Sequence, residues 1–262
     1  MGRFIDNINF FINVQKILWK DFWTYREQFI FWTIANSLVI LNSFIAITVI
    51  YSISSGIPGW SYFQVLALSG ITTMAIGVID YLISPWAVVD RLRTGKMDMW
   101  FTKPYSYLVI VSSCFGNVTP FASVISGLAL FTYAAMHLGL QATQFVYFAL
   151  LFVAGVAAFL MFFVMMAVLS YHLFRSGEFI ESMEGLLENA GRYPLSVYGI
   201  LGQFAFTLAM PIGVAYYYPA EALFGTLSPV ALAAAAVLSI TIMLVSRKIF
   251  YTLLKNYSSG GG

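Results

Sequence analysis

The sequence predicts an all-α, polytopic membrane protein: six transmembrane helices, an N-terminal amphipathic interface helix, and a short outer re-entrant element before the last span. Three observations carry this expectation. Hydrophobic residues make up 60% of the 262 and charged residues only 9%, whereas soluble globular domains carry about a quarter charged. A bilayer core takes about 20 apolar residues per helix, which gives this length room for about six spans and their loops. All thirteen Lys and Arg residues fall in alternate segments: four in the N-terminal segment, four between 90 and 107, two between 174 and 194 and three at the C-terminal end. The connections near 54–61, 136–142 and 216–229 carry none. The positive-inside rule then puts both termini and the two charged loops in the cytoplasm, which requires an even number of spans.

Taken in order, residues 1–28 read as an interface helix. Asp6, Asn9, Asn13, Lys16, Lys20 and Glu27 recur at steps of three, four or seven and form one polar stripe. Phe4, Ile8, Phe11, Leu18, Phe22 and Tyr25 lie on other faces, with Trp19 and Trp23 suited to headgroup depth. Such a helix serves equally as a lipid anchor or as a docking element. The six-span region is 29–250. Span one, about 29–53, ends where Gly56, Pro58 and Gly59 form a tight turn. Span two, about 62–88, contains Asp80, Tyr81 and Trp86. Span three is expected at 107–135 with Pro120 inside it, span four at 143–173, span five at 195–218 with a kink at Pro211, and span six at 230–250. Residues 251–262 read as a polar cytoplasmic tail ending in Ser-Ser-Gly-Gly-Gly.

Two interruptions carry pattern. The loop 90–107 sets Arg91, Arg93, Lys96 and Lys103 among Trp100, Phe101 and Pro104, a basic and aromatic surface available to a partner. In the loop 174–194, Phe179, Ile180, Met183, Leu186, Leu187 and Ala190 fall on one helical face, and Glu178, Glu181, Glu184 and Glu188 on the other. Ser176 suits the N-cap, while Gly191 and Pro194 stop the helix. Anionic lipid would repel the acidic face, so contact with a basic protein surface is the economical expectation. The outer stretch 211–229 is too apolar for a solvent loop and too broken by Pro and Gly for a further span. It reads as a re-entrant pair with Tyr216, Tyr217 and Tyr218 in the outer aromatic belt. Pro211, Tyr217, Pro219 and Glu221 are its candidate gate residues.

Enzyme signatures are missing from the sequence. The Gly95-Lys96 pair has Asp90 where a phosphate-cradling loop needs glycine. His137 and His172 fall on opposite sides of the expected membrane and cannot share a metal, and Cys114 stands alone. The expected catalytic, metal and cofactor sets are empty. Asp80 is the acid within a span, and such groups are functional candidates. Its neighbours Tyr81 and Trp86 also allow it to reach headgroups or a basic loop residue. A proton-driven secondary carrier using Asp80, or a membrane scaffold for a cytoplasmic enzyme, are the competing classes.

The run RLRTGKMDMWFTKPYSYLV resembles the loop after the second span in ABC-2 type membrane subunits of bacterial ATP-binding-cassette transporters, with Arg93, Gly95, Asp98, Lys103 and Pro104 in matching positions. The block from Tyr193 and Pro194 through Pro211 to Pro219 and Ala220 is similar to the same family's fifth span and outer re-entrant element. The four-glutamate helix is a departure. The resemblance implies a multi-pass permease subunit of the bacterial cytoplasmic membrane that holds no nucleotide itself. Two such subunits, identical or homologous, would sit in lipid on two cytoplasmic ATPases that bind ATP and Mg²⁺, with no nucleic acid involved. Residues 90–107 would form the coupling helix, with 178–190 beside it, and the cargo class would be hydrophobic or amphipathic compounds moved outward.

Overall fold

The computed structural model describes residues 2–24, 26–114, 118–174 and 177–257, and every regular element among them is helical. The expected N-cap Ser176, Tyr25 and the terminal Ser-Ser-Gly-Gly-Gly lie outside the described residues. Helix α1 (Gly2–Thr24) leaves Asp6, Asn9, Asn13, Lys16 and Lys20 exposed. It turns Asn7, Phe10, Val14, Leu18 and Phe22, spaced three or four apart, toward the rest of the chain. Helix α2 (Arg26–Ile53) is apolar nearly all round and largely uncovered by protein, with Ser43 and Ile47 buried. Gly56 and Gly59, at φ 77° and 80°, then reverse the chain in a left-handed conformation that glycine adopts without steric cost.

Helix α3 (Tyr62–Leu82) starts on a reciprocal cap. The Ser61 hydroxyl accepts from the Gln64 N–H while the Gln64 side chain accepts from the Ser61 N–H. The Ser-x-x-Gln spacing that builds it is visible in the sequence. The helix breaks at Ile83 and Ser84, because Pro85 has no N–H to continue the ladder and forces extended backbone before it. Pro85 then opens α4 (Pro85–Arg93) from its first turn. After α5 (Asp98–Phe101), helices α6 (Tyr107–Cys114) and α7 (Phe121–Ala135) occupy the stretch expected as span three. The single helix expected over 107–135 is corrected to these two, with Pro120 at the start of α7.

Helix α8 (Ala142–Phe174) and α9 (Glu178–Gly191) follow. A 3-10 turn at Leu195–Tyr198, α10 (Gly199–Phe204) and a π-helical turn at Ala205–Ala209 lead to Pro211. Beyond it come a second π turn, Gly213–Tyr217, and α11 (Tyr218–Phe224), bent 85° from the preceding limb. Helix α12 (Pro229–Lys255), capped by Ser228, runs past the expected boundary at 250. Four helical stretches among the described residues are long and apolar enough to cross a bilayer: Arg26–Ile53, Tyr62–Arg93, Ala142–Phe174 and Pro229–Lys255. The bent limb pair makes a fifth if counted as one span.

Helices α3 and α8 form the buried centre, and α2 and α12 lie outside it. The α3–α7 contact is backbone to backbone. A Cβ on Gly127 would lie 2.6 Å from the Met74 nitrogen, and one on Gly70 would lie 2.7 Å from that of Phe131. Small residues permit this approach, which gains dispersion and close polar contact where lipid supplies no hydrophobic drive.

Candidate functional site

The central loop is held by residues distant in sequence. At the end of α4 the Thr94 hydroxyl donates to the Asp90 carbonyl at 2.8 Å, and Gly95 turns the chain at φ 68°. Met97 is fully buried and pins the start of α5. The Tyr257 hydroxyl lies 2.9 Å from Asp98 Oδ1 and 3.1 Å from the Leu92 carbonyl, bracing the turn from behind. Phe101 points inward, edge-on to Tyr107 at 5.1 Å and to Tyr257 at 5.6 Å. On the other flank Tyr105 stacks on Phe10 at 4.2 Å, and the Ser106 N–H donates to Asn7 at 3.0 Å, tying the loop to α1. A hollow of about 380 Å³ remains among Asn7, Phe101, Lys103, Pro104, Tyr107 and Tyr251.

The outward surface therefore differs from the sequence reading. Arg93, Lys96, Lys103 and Pro104 are exposed, and Arg91 and Trp100 are half-buried. Arg93 pairs with Asp90 at 3.2 Å. Met99, overlooked in the sequence, is 62% exposed at the tip of α5, whereas Phe101 belongs to the loop's own packing. No sequence signal pointed to Asn7, Phe10 or Tyr257, because their partners lie some hundred residues away or more.

The second loop departs further. Its apolar face forms as expected at Ile180, Met183, Leu187 and Ala190, all buried, but Phe179 and Leu186 are exposed. Of the four glutamates, Glu178 and Glu181 are exposed, and Glu184 and Glu188 are half-buried. The helix is laid along the second half of α3. Gly177 abuts the Trp86 indole, and the Gly191 carbonyl accepts from the Thr72 hydroxyl at 2.7 Å, which satisfies a last-turn carbonyl of α9. Gly191 also has no room for a side chain, since a Cβ there would lie 2.5 Å from the Tyr216 ring.

Glu184 and Glu188 are consequently turned into the protein, and the expected free acidic face is corrected to an acidic half. Asp80 lies in the field of Glu184 and Glu188, with its Oδ1 enclosed and without a hydrogen-bond partner. The expectation that Asp80 reaches headgroups is corrected accordingly. Glu188 takes a 2.5 Å bond from Arg192, whose other terminal nitrogen donates to Ser43 of α2. Arg192 is only 8% exposed, so one of the two basic residues between 174 and 194 is no solvated loop charge. The i,i+4 spacing of Glu188 and Arg192 was a readable signal for their pairing.

Tyr216 completes the cluster. It was expected in an outer aromatic belt, but it is fully buried, edge-on to Phe159 at 5.3 Å, with its hydroxyl unpartnered and in the field of Glu188, Asp80 and Glu184. Pro211 and Pro219 are also buried. Tyr217 sits beside Trp60 at 5.6 Å, and Tyr217 and Glu221 are half-buried.

The histidines are engaged elsewhere: His137 stacks on Phe63 at 4.3 Å, and His172 Nε2 lies 3.0 Å from the Leu253 carbonyl. Among the described residues no group of His, Cys, Asp and Glu is arranged to hold a metal ion. A protein-family model described as "ABC-2 family transporter protein" matches residues 37–261. No curated protein and no solved structure matches the chain.

Proposed function

The chain belongs to the ABC-2 transporter family, and on that premise we propose that it is the permease subunit of an ATP-driven exporter. Two permease subunits, the second a copy or homologue of the first, form the path for a hydrophobic or amphipathic cargo. Separate cytoplasmic ATPases bind ATP and Mg²⁺ and drive it. In this reading the chain crosses the bacterial inner membrane six times, with α6 and α7 together making the third crossing, and both termini are cytoplasmic. The limb 213–224 forms the outer re-entrant element, and Pro211, Tyr217, Pro219 and Glu221 close the outer end of the path. Family membership favours this over a proton-driven carrier or a passive scaffold.

The observation that carries the coupling assignment is the exposure of Met99 on a one-turn helix braced from behind by Tyr257, and of Lys103 and Pro104 just after it. That turn follows α3 and α4, the stretch Tyr62–Arg93, broken at Ile83 and Ser84. A push on α5 is therefore delivered to the buried centre of the bundle rather than dissipated in a slack loop. To switch the bundle decisively, nucleotide must favour one arrangement by about 5.5 kcal/mol, which a braced contact can transmit.

The test is co-purification with the ATPase and transport-linked ATP turnover. Met99→Ala with Trp100→Ala should insert normally and weaken ATPase association about 30-fold, as expected for an interface hot spot of about 2 kcal/mol. Lys96→Ala should do little, since an exposed charge contributes under about 1 kcal/mol. Wild-type association and turnover in the double variant would reduce the loop to a connector.

A further inference from the structure

Helix α1 is fixed in rotation by its contacts with the bundle. The Trp19 indole N–H donates to the Tyr81 hydroxyl at 3.1 Å, and that hydroxyl donates to the Gln15 side-chain oxygen at 2.6 Å. Trp19 is also edge-on to Phe121 at 5.5 Å. Nearer the start of the helix, Asn7 and Phe10 hold Ser106 and Tyr105. The face that α1 shows outward is therefore set by the fold.

That face is apolar with a basic border. Ile5, Ile8, Ile12 and Trp23 are all exposed, Trp23 by 70%. At about 100° per residue they share an arc of roughly 60°. Lys16 and Lys20, also exposed, lie about 40° and 80° from the centre of that arc, and Asp6 and Asp21 about 120° and 180°. The bases thus edge the apolar arc while the acids lie away from it. Between Phe11, Ile12, Trp19 and Trp23 runs a trough of about 480 Å³, with both lysines in its lining. Among the described residues neither lysine pairs with a carboxylate.

A lysine lays its stem along apolar surface and keeps its ammonium at the polar edge, and tryptophan favours headgroup depth. An apolar trough with two ammonium groups beside it matches both ends of an anionic phospholipid, the acyl chain and the phosphate.

We propose, resting on the membrane location that family membership carries and not on ATPase coupling, that this face of α1 binds an anionic phospholipid, with an acyl chain in the trough and the phosphate held by Lys16 and Lys20. Because the same helix holds Ser106 and Tyr105, an occupied site also steadies the flank of the 90–107 loop. Each basic side chain near an anionic headgroup contributes about fivefold in affinity, so the two lysines together should favour anionic over zwitterionic lipid about 25-fold.

The test is native mass spectrometry of the purified chain, without ATPase or nucleotide, titrated with phosphatidylglycerol and with phosphatidylcholine of identical acyl chains. The wild type should bind its first phosphatidylglycerol with that preference. Lys16→Gln and Lys20→Gln should each cut the preference about fivefold, and the double variant should abolish it while still binding phosphatidylcholine. Glutamine keeps the helix propensity of lysine, so α1 itself should be undisturbed. Trp23→Ala should weaken both lipids alike. Lys248→Gln, which removes an exposed lysine from α12, should leave the preference unchanged. Equal binding of the two lipids by the wild type, or a preference that survives in the double variant, would overturn the site and leave the transporter reading standing. Failure to bind either lipid would sink the membrane reading along with it.

Discussion

The Glu188–Arg192 pair allows a prediction whose asymmetry comes from burial. The Arg192 side chain is 9% exposed and that of Glu188 30%. Breaking a buried pair by removing one partner costs about 3–5 kcal/mol, and the cost grows with how completely the orphaned charge is desolvated. Arg192→Met strands the more exposed carboxylate and should fall at the low end, about 3 kcal/mol. Glu188→Met strands a guanidinium held in the bundle, with Ser43 as its remaining partner, and should fall near 5 kcal/mol. The double variant replaces both charges by apolar groups of similar length and should return close to wild type. Thermal unfolding in detergent reads this directly. At about 2–4 °C per kcal/mol for a chain somewhat smaller than this one, Arg192→Met should lower the midpoint by about 6–12 °C and Glu188→Met by more, with recovery in the pair. Equal losses in the two single variants would show that burial does not set the cost. A double variant as damaged as the sum would show that the two charges are not coupled at all.

Other expectations follow from the packing. Gly127→Val should force α7 off α3 and lower stability by about 1–3 kcal/mol, read as a melting shift; an unchanged midpoint would mean the two backbones are not in contact. Phe101→Ala, which removes a ring from the loop's own packing, should destabilise by about 2 kcal/mol, less than the 3–5 expected of a fully buried ring; a midpoint equal to wild type would return Phe101 to the outer surface. Cysteine placed at Ser55 or Gln141, both exposed, in a Cys114→Ala background should label from outside intact cells; labelling only after permeabilisation would invert the topology.

Much of the helix layout was legible because its signals are local. Gly56, Pro58 and Gly59 end one helix and Ser61 starts the next within a few residues, and α8 and α12 begin within one residue of their expected positions. The break at Pro211 was legible for the same reason. Depth and partnership were not. The period of α9 told which residues share a face, but not that a whole half of α3 would cover part of the acidic one. Asp80 looked interfacial because Tyr81 and Trp86 follow it. Yet the Tyr81 hydroxyl donates to Gln15 of α1 at 2.6 Å and accepts from the Trp19 indole at 3.1 Å. An aromatic belt and a buried aromatic contact look identical in one dimension. Arg192 was counted among loop charges because a positive-inside count weighs sign and segment, never burial.

The two π turns around Pro211 bear on how this chain tolerates changes of length. A π turn is an α-helix carrying one residue more than its hydrogen-bond ladder needs. Deleting any residue of Gly213–Tyr217 would let the ladder close as α and would rotate everything on one side by about 100° relative to the other. Elsewhere in an apolar helix such a rotation exchanges one greasy face for another. Here it would carry the Tyr216 hydroxyl away from Glu188 and Asp80, or carry Tyr217 away from Trp60. This short stretch is therefore a register mark: the chain can drift in sequence around it, but a single-residue gap within it separates the inner cluster from the outer one.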